Sequence, residues 1–225
     1  MKKVLFVIFF LCVIVSFSDN FLDLGNQEFE MGNYKEAIKY YKKSKTDEGN
    51  FMTGVSMFNY GSKGYSKKYF EKSIKNNYEV YDSYYYLGSI YNYTNFREPD
   101  KTSEKANEYL LKALGGEEKG KVYKELGSLH RSTLDSKTAE GYYLKAYENG
   151  NYESLCELLL MYIDLSRRPY TYEYEYRESE ERVAFFTDRY NKKLRGFTEE
   201  EAKEKINIIK SEIRKVKYNC DLLDF

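Results

Sequence analysis

Four glycines, Gly25, Gly54, Gly88 and Gly127, each head the same phrase of small and bulky residues. Twelve, sixteen and nineteen residues after the glycine stand Ala37, Tyr41 and Ser44 in the first copy, Ser66, Phe70 and Ser73 in the second, and Ala139, Tyr143 and Ala146 in the fourth. The third copy keeps the mutual spacing as Ala106, Leu110 and Ala113 but carries six extra residues ahead of it. Spacings of four and three put these residues on one helical face. Glycine inside a helix costs about 1 kcal/mol relative to alanine, so four in register need a compensating gain. Close approach of a second helix supplies it, because a Cβ would hold the two axes apart. Self-similarity on a period of about 34 residues reads as stacked helical hairpins, an architecture that offers extended binding surfaces.

The first hairpin sets Phe21, Leu22, Leu24 and Phe29 against Tyr34, Ala37, Ile38 and Tyr41, with Gly32 and Asn33 as its turn. The second runs from about Asp47 to Asn76, its turn bracketed by Gly61 and Gly64. In the third, Tyr84, Leu87, Gly88 and Tyr91 precede a swollen turn that includes Arg97, Glu98, Pro99 and Asp100; in the fourth, Val122, Leu126, Gly127 and His130 precede a turn near Ser136. Only two prolines occur in 225 residues, leaving long stretches free to be helical. The 26 tyrosines and absent tryptophan make a hydroxyl-bearing ring the main packing unit. With 36 basic and 36 acidic side chains, no net field points to nucleic acid.

Residues 1–18 differ from the rest. Lys2 and Lys3 lead an uncharged, almost wholly apolar run from Val4 to Val15, and Ser16 and Ser18 suit signal-peptidase cleavage. The run is short for a bilayer span of about 20 residues, so it reads as a cleaved signal peptide and the chain as exported, periplasmic or extracellular. Two cysteines, Cys156 and Cys220, then remain. Either they pair across the intervening loop, which is worth about 4 kcal/mol in the chain-entropy account, or Cys156 is a small apolar helix residue and Cys220 a tail thiol.

After Gly150 the phrase weakens: Leu155, Leu158, Leu159 and Tyr162 make a fifth first helix, Cys156 stands in the glycine's place, and Arg167, Arg168 and Pro169 end the helix. Tyr170, Tyr172, Tyr174 and Tyr176 then alternate with Thr171, Glu173 and Glu175. That period is a strand's, but with no second strand to pair with it reads rather as a linker into a helix carrying Val183, Phe186 and Tyr190. Thr198 and Glu201 form a capping box, and Ala202, Ile206, Ile209, Ile213 and Val216 make a single apolar stripe suited to closing the end of a stack. The expected organisation is a signal peptide at 1–18, four repeats over 19–150, a degenerate fifth hairpin with a tyrosine-rich insert over 151–197, and a capping helix and tail over 198–225.

Leu24, Gly25, Gly32, Asn33, Tyr34, Ala37 and Tyr41 resemble the tetratricopeptide repeat, and Leu87, Gly88, Tyr91, Ala106 and Ala113 with the enlarged turn look like its Sel-one-like relative. The resemblance implies an all-α fold, a right-handed α-solenoid of about five helical hairpins, and a role in protein assembly. It places positions 2, 5, 9, 12 and 13 of each repeat in a concave groove. Those positions give Tyr85, Ser89, Asn92 and Tyr93 in the third repeat, and Lys121, Lys124, Ser128 and Arg131 in the fourth. The cations would take a partner's carboxylate; a solvated charged face is the alternative. Leu22, Phe29, Phe51 and Phe58 give the first two repeats a more apolar stretch, either a peptide groove or a surface covered by neighbouring helices. The family's clamp for chaperone carboxyl tails does not carry over, since Leu22 and Val55 replace its lysine and second asparagine although Asn26 holds the first.

Some secreted Sel-one-like members are described as penicillin-binding or β-lactamase-like, which makes an enzyme the rival class. Here no Ser-x-x-Lys element stands in a convincing context, and Ser44 and Ser73 occupy packing positions. His130 falls where Tyr91 falls one repeat earlier and reads as a packed aromatic substitute. No metal-spaced cluster or phosphate loop stands out. The expectation is a non-catalytic module without cofactor or metal, binding a protein or peptide partner; a surface adhesin or envelope assembly factor would differ only in where that partner lives.

Overall fold

The computed structural model describes residues 20–93, 99–133, 135–166 and 199–215. Among them are ten helices and no strand: α1 (20–30), α2 (Tyr34–Ser44), α3 (Asp47–Asn59), α4 (Lys63–Lys75), α5 (Val80–Tyr93), α6 (Pro99–Ala113), α7 (Lys119–Ser132), α8 (Ser136–Glu148), α9 (Glu153–Ser166) and α10 (Glu199–Lys215). They fall into two compact units, the first ending at Gly116 and the second starting at Glu117. In the first, α2 packs on α3, α3 on α4, α4 on α5 and α5 on α6; in the second, α7 packs on α8, α8 on α9 and α9 on α10. No described helix is long and apolar enough to cross a membrane.

The glycine phrase has the predicted mechanical cause. A Cβ on Gly25 would stand 2.6 Å from the Tyr41 ring, one on Gly54 3.0 Å from Phe70, one on Gly88 2.6 Å from Leu110, and one on Gly127 2.6 Å from Tyr143. Each glycine is thus the floor on which the bulky residue of the partner helix rests. Those four residues are at most 1% exposed, and the small residues four before them, Ala37, Ser66, Ala106 and Ala139, are all at 0%. The small residues three after them serve the next helix: a Cβ on Gly49 of α3 would meet Ser44 Oγ at 1.8 Å.

Local signals end the helices. Gly32, Gly61 and Gly150 take positive φ at 76°, 87° and 83°, where a side chain would be strained. Thr46 accepts from the Gly49 amide at 2.9 Å to start α3, and Asp135 accepts from the Thr138 amide at 3.3 Å to start α8. Gly64 departs from its expected role in a turn, lying instead in the first turn of α4. Pro99 opens α6, where its missing N–H costs nothing.

The apolar stretch of the second repeat is covered. Phe51 is 9% exposed and meets Phe70, Tyr78 and Tyr86 edge-on, with ring centroids 5.9–6.1 Å apart; Tyr86 also stacks on Phe70 at 4.6 Å. Phe58 packs edge-on against Tyr86 at 5.1 Å.

In the second unit the core joins Ala139 and Tyr143 to Leu155, Leu158, Leu159, Met161, Tyr162 and Ile163 of α9 and to Ala202, Ile209 and Ile213 of α10. The apolar stripe of α10 therefore lies on α9. Ala202, Ile206 and Ile209 repeat the spacing of Ala37, Tyr41 and Ser44, so α10 meets α9 as a second helix meets its first. Glu140 fastens the joint from α8, accepting from the Tyr162 hydroxyl and from Lys205 Nζ at 2.5 Å. The expected signal segment at 1–18, the alternating tyrosines from Tyr170 to Tyr176, the expected Thr198 cap and the tail from residue 216 onward lie outside the described residues.

Candidate functional site

The eight residues expected to face a groove divide between the two units, four in each. In the first unit, α5 carries Tyr85, Ser89, Asn92 and Tyr93. Ser89 is only 5% exposed and its Oγ has no hydrogen-bond partner. Tyr85 and Asn92 are half-buried, Tyr85 lying edge-on to Tyr86 at 5.3 Å. Tyr93 is 60% exposed, and Lys63 of α4 places its ammonium 3.9 Å from that ring's centroid and 4.9 Å from that of Phe58. Such contacts are worth about 0.5–1 kcal/mol at exposed sites.

In the second unit, Lys121, Lys124, Ser128 and Arg131 recur on α7 at spacings of three and four, which aligns them on one helical face. Each cation already has a carboxylate. Lys124 Nζ donates to Glu153 Oε2 at 2.7 Å and Arg131 Nη1 to Glu157 Oε2 at 3.2 Å, both reaching from α7 to α9, while Lys121 Nζ meets Glu118 Oε2 at 3.1 Å. Ser128 is exposed between the two inter-helix pairs. Below them lies the fully buried Tyr143; burial first, and then the Glu157 carboxylate, push its hydroxyl upward, against the lowering effect of Arg131.

Glu153 and Glu157 were invisible to a register that stopped at the fourth repeat. Carried one repeat further, with Cys156 at the glycine position, the same count makes them positions 5 and 9 of the fifth. They face the fourth repeat's Lys124 and Arg131, at positions 5 and 12.

A lateral seam recurs as well. Lys43 lies over Phe21 and Tyr40, Lys112 over Tyr84 and Tyr109, and Lys145 over Tyr123 and Tyr142, with ammonium-to-centroid distances of 5.3–5.8 Å. His130 belongs to this seam, stacking on Tyr142 at 5.3 Å as Tyr91 stacks on Tyr109 at 5.6 Å. Its Nδ1 lies 3.5 Å from Asp135 Oδ2. That is the packed aromatic role its repeat position predicts. No group of three or more metal-ligating side chains gathers among the described residues. Cys156 is half-buried against the α9–α10 core and disulfide-bonded; Cys220, its partner in one of the two readings of the sequence, lies outside the described residues.

No protein-family model matches the chain, and no curated protein matches it in sequence. In structure it is similar to TTC0263, a thermophilic TPR protein of Thermus thermophilus, with a TM-score of 0.57 and 15% identity over 90% of this chain and 100% of that one. It is also similar to the MamA protein, with a TM-score of 0.52 and 19% identity over 91% of this chain and 97% of the other. Glycines seating a bulky side chain of the partner helix in hairpin after hairpin, together with these likenesses, give the chain the tetratricopeptide-repeat fold.

Proposed function

We propose that the protein is a non-catalytic, exported interaction module that binds a protein partner on the face that α7 and α9 make in its second unit. The observation that carries this reading is the α7–α9 ion-pair ladder: Lys124 with Glu153 and Arg131 with Glu157 fix two successive first helices side by side and leave Ser128 open between them. Pre-organised polar groups around an open position are what a protein contact needs, because fewer side chains then have to be ordered on binding. Repeat arrays supply such faces by stacking. Export rests on residues 1–18, which have the charge, length and small-residue ending of a cleaved signal. The packed role of His130 supports a binding protein over the β-lactamase-like alternative.

A photo-crosslinking residue placed at Ser128, compared with one at the exposed Leu144 of α8, tests the reading in an envelope extract of the source cells. The proposal expects a discrete protein adduct from position 128 and none from 144. Equal labelling from both positions, or no adduct from 128, would refute it.

A further inference from the structure

The sequence alone suggests that Lys121, Lys124 and Arg131 await a carboxylate, and the geometry of their ion pairs argues the reverse. In every pair the carboxylate is the outer member: side-chain exposure is 32% for Lys121 against 66% for Glu118, 24% for Lys124 against 51% for Glu153, and 27% for Arg131 against 38% for Glu157. The cations are the less exposed members of all three pairs. An arriving carboxylate would have to displace Glu153 or Glu157, exchanging one anion for another while still bearing the cost of association. An arriving ammonium or guanidinium meets the exposed side of a carboxylate and leaves both internal pairs intact. Complementary charge of this kind steers encounter and fixes register.

We infer that the α7–α9 face takes a basic segment, an extended stretch of polypeptide with lysine or arginine at alternate positions, contacting Glu153 and Glu157. This rests on the reading of that face as protein-binding. Spacing adds to charge. Glu153 and Glu157 are four residues apart on α9, one turn and about 6 Å along its axis, and alternate residues of an extended chain are about 6.6 Å apart. Two basic side chains on one side of such a segment therefore match the two glutamates. Ser128, exposed between the pairs, leaves room for the intervening small residue to pass.

The test uses two synthetic probes, a heptapeptide of alternating serine and lysine and its serine and glutamate counterpart, titrated into the purified chain and read by calorimetry in about 50 mM salt. The lysine peptide should bind saturably and the glutamate peptide should not. Glu153→Gln with Glu157→Gln should weaken the lysine peptide at least 10-fold. Ser128→Arg touches neither pair and places a cation in the path; it should cost at least 5-fold and guards against loss through misfolding. Preference for the glutamate peptide, no saturable binding of the lysine peptide, or indifference to the glutamate substitutions would each overturn the inference. A protein adduct at Ser128 formed through an acidic segment would overturn it while leaving the protein-binding reading intact. Lysine-peptide binding as expected, with no adduct at Ser128, would instead count against that reading alone.

Discussion

Gly127→Ala and Gly141→Ala make a matched pair that isolates what the repeated glycine does. Both positions lie inside helices, Gly127 in α7 and Gly141 in α8, and neither has positive φ. Each alanine therefore gains the same propensity, about 1 kcal/mol. Their surroundings differ completely. A Cβ at 141 meets nothing within 4 Å, whereas one at 127 stands 2.6, 2.7 and 3.0 Å from three ring carbons of Tyr143. Carbon atoms prefer about 3.5–4.0 Å, so the overlap is about 1 Å, and the Tyr143 ring, 0% exposed, can yield only by pressing on the core around it. The helices must separate, at the cost typical of an overfilled core, about 1–3 kcal/mol. Gly141→Ala should therefore stabilise by about 1 kcal/mol, and Gly127→Ala should fall about 1–3 kcal/mol below it. Urea unfolding followed by far-ultraviolet circular dichroism measures both. If the two variants gain equally, the close-approach explanation of the repeat is wrong. Gly54→Ala, whose Cβ would stand 3.0 Å from Phe70, should cost less than Gly25→Ala or Gly88→Ala.

Three further outcomes are expected. Burial first, and then Glu48 and Glu30, push Tyr41 up to about 12 from 10.0, so its contribution to stability is complete below pH 10 and is lost as pH rises through 12; unfolding at pH 9 and 11.5 should show a loss about 2 kcal/mol smaller in Tyr41→Phe than in the unaltered chain. Burial and the carboxylates of Asp82 and Glu48 raise Glu79, so folding favours its protonated form and that benefit disappears as pH rises above the ordinary carboxylate range; Glu79→Gln should raise the unfolding free energy measured in urea at pH 7 by about a few tenths of a kcal/mol, with the gain vanishing near pH 4. If Cys156 pairs with Cys220, a peptide map of the unreduced protein will contain that cross-linked pair and reduction will lower stability by about 4 kcal/mol; a free Cys220 thiol in the map would exclude it.

Much of the fold was legible because the hairpin leaves a steric mark on the sequence. Gly25 and Tyr41, or Gly127 and Tyr143, can be matched by counting alone, since one residue must vanish where the other presses in. The small residues Ser44 and Ser73 were legible for the same reason and are buried at 3% and 2% exposure. The end of the array was harder. Ala202, Ile206 and Ile209 keep the second-helix spacing, but they follow the glycine position at Cys156 by 46 residues rather than twelve, which hides the match from a periodicity count. The site was less legible still. A helical face can be assigned by register, but whether Lys124 and Arg131 are open to a partner depends on which charges the next first helix brings beside them. Ser89 differs from its expected role for a similar reason: position 9 faces outward only if the neighbouring helix leaves it bare, and here it is buried.

If the first-helix face of α7 and α9 is where this protein meets a partner, binding must protect the backbone of those two helices. Hydrogen exchange on the purified chain, measured alone and with the protein captured at Ser128, reads that protection helix by helix. Slowed exchange concentrated in α7 and α9, with α8 unchanged, is the expected result. Protection confined to α8, or no change along α7 and α9, would contradict it.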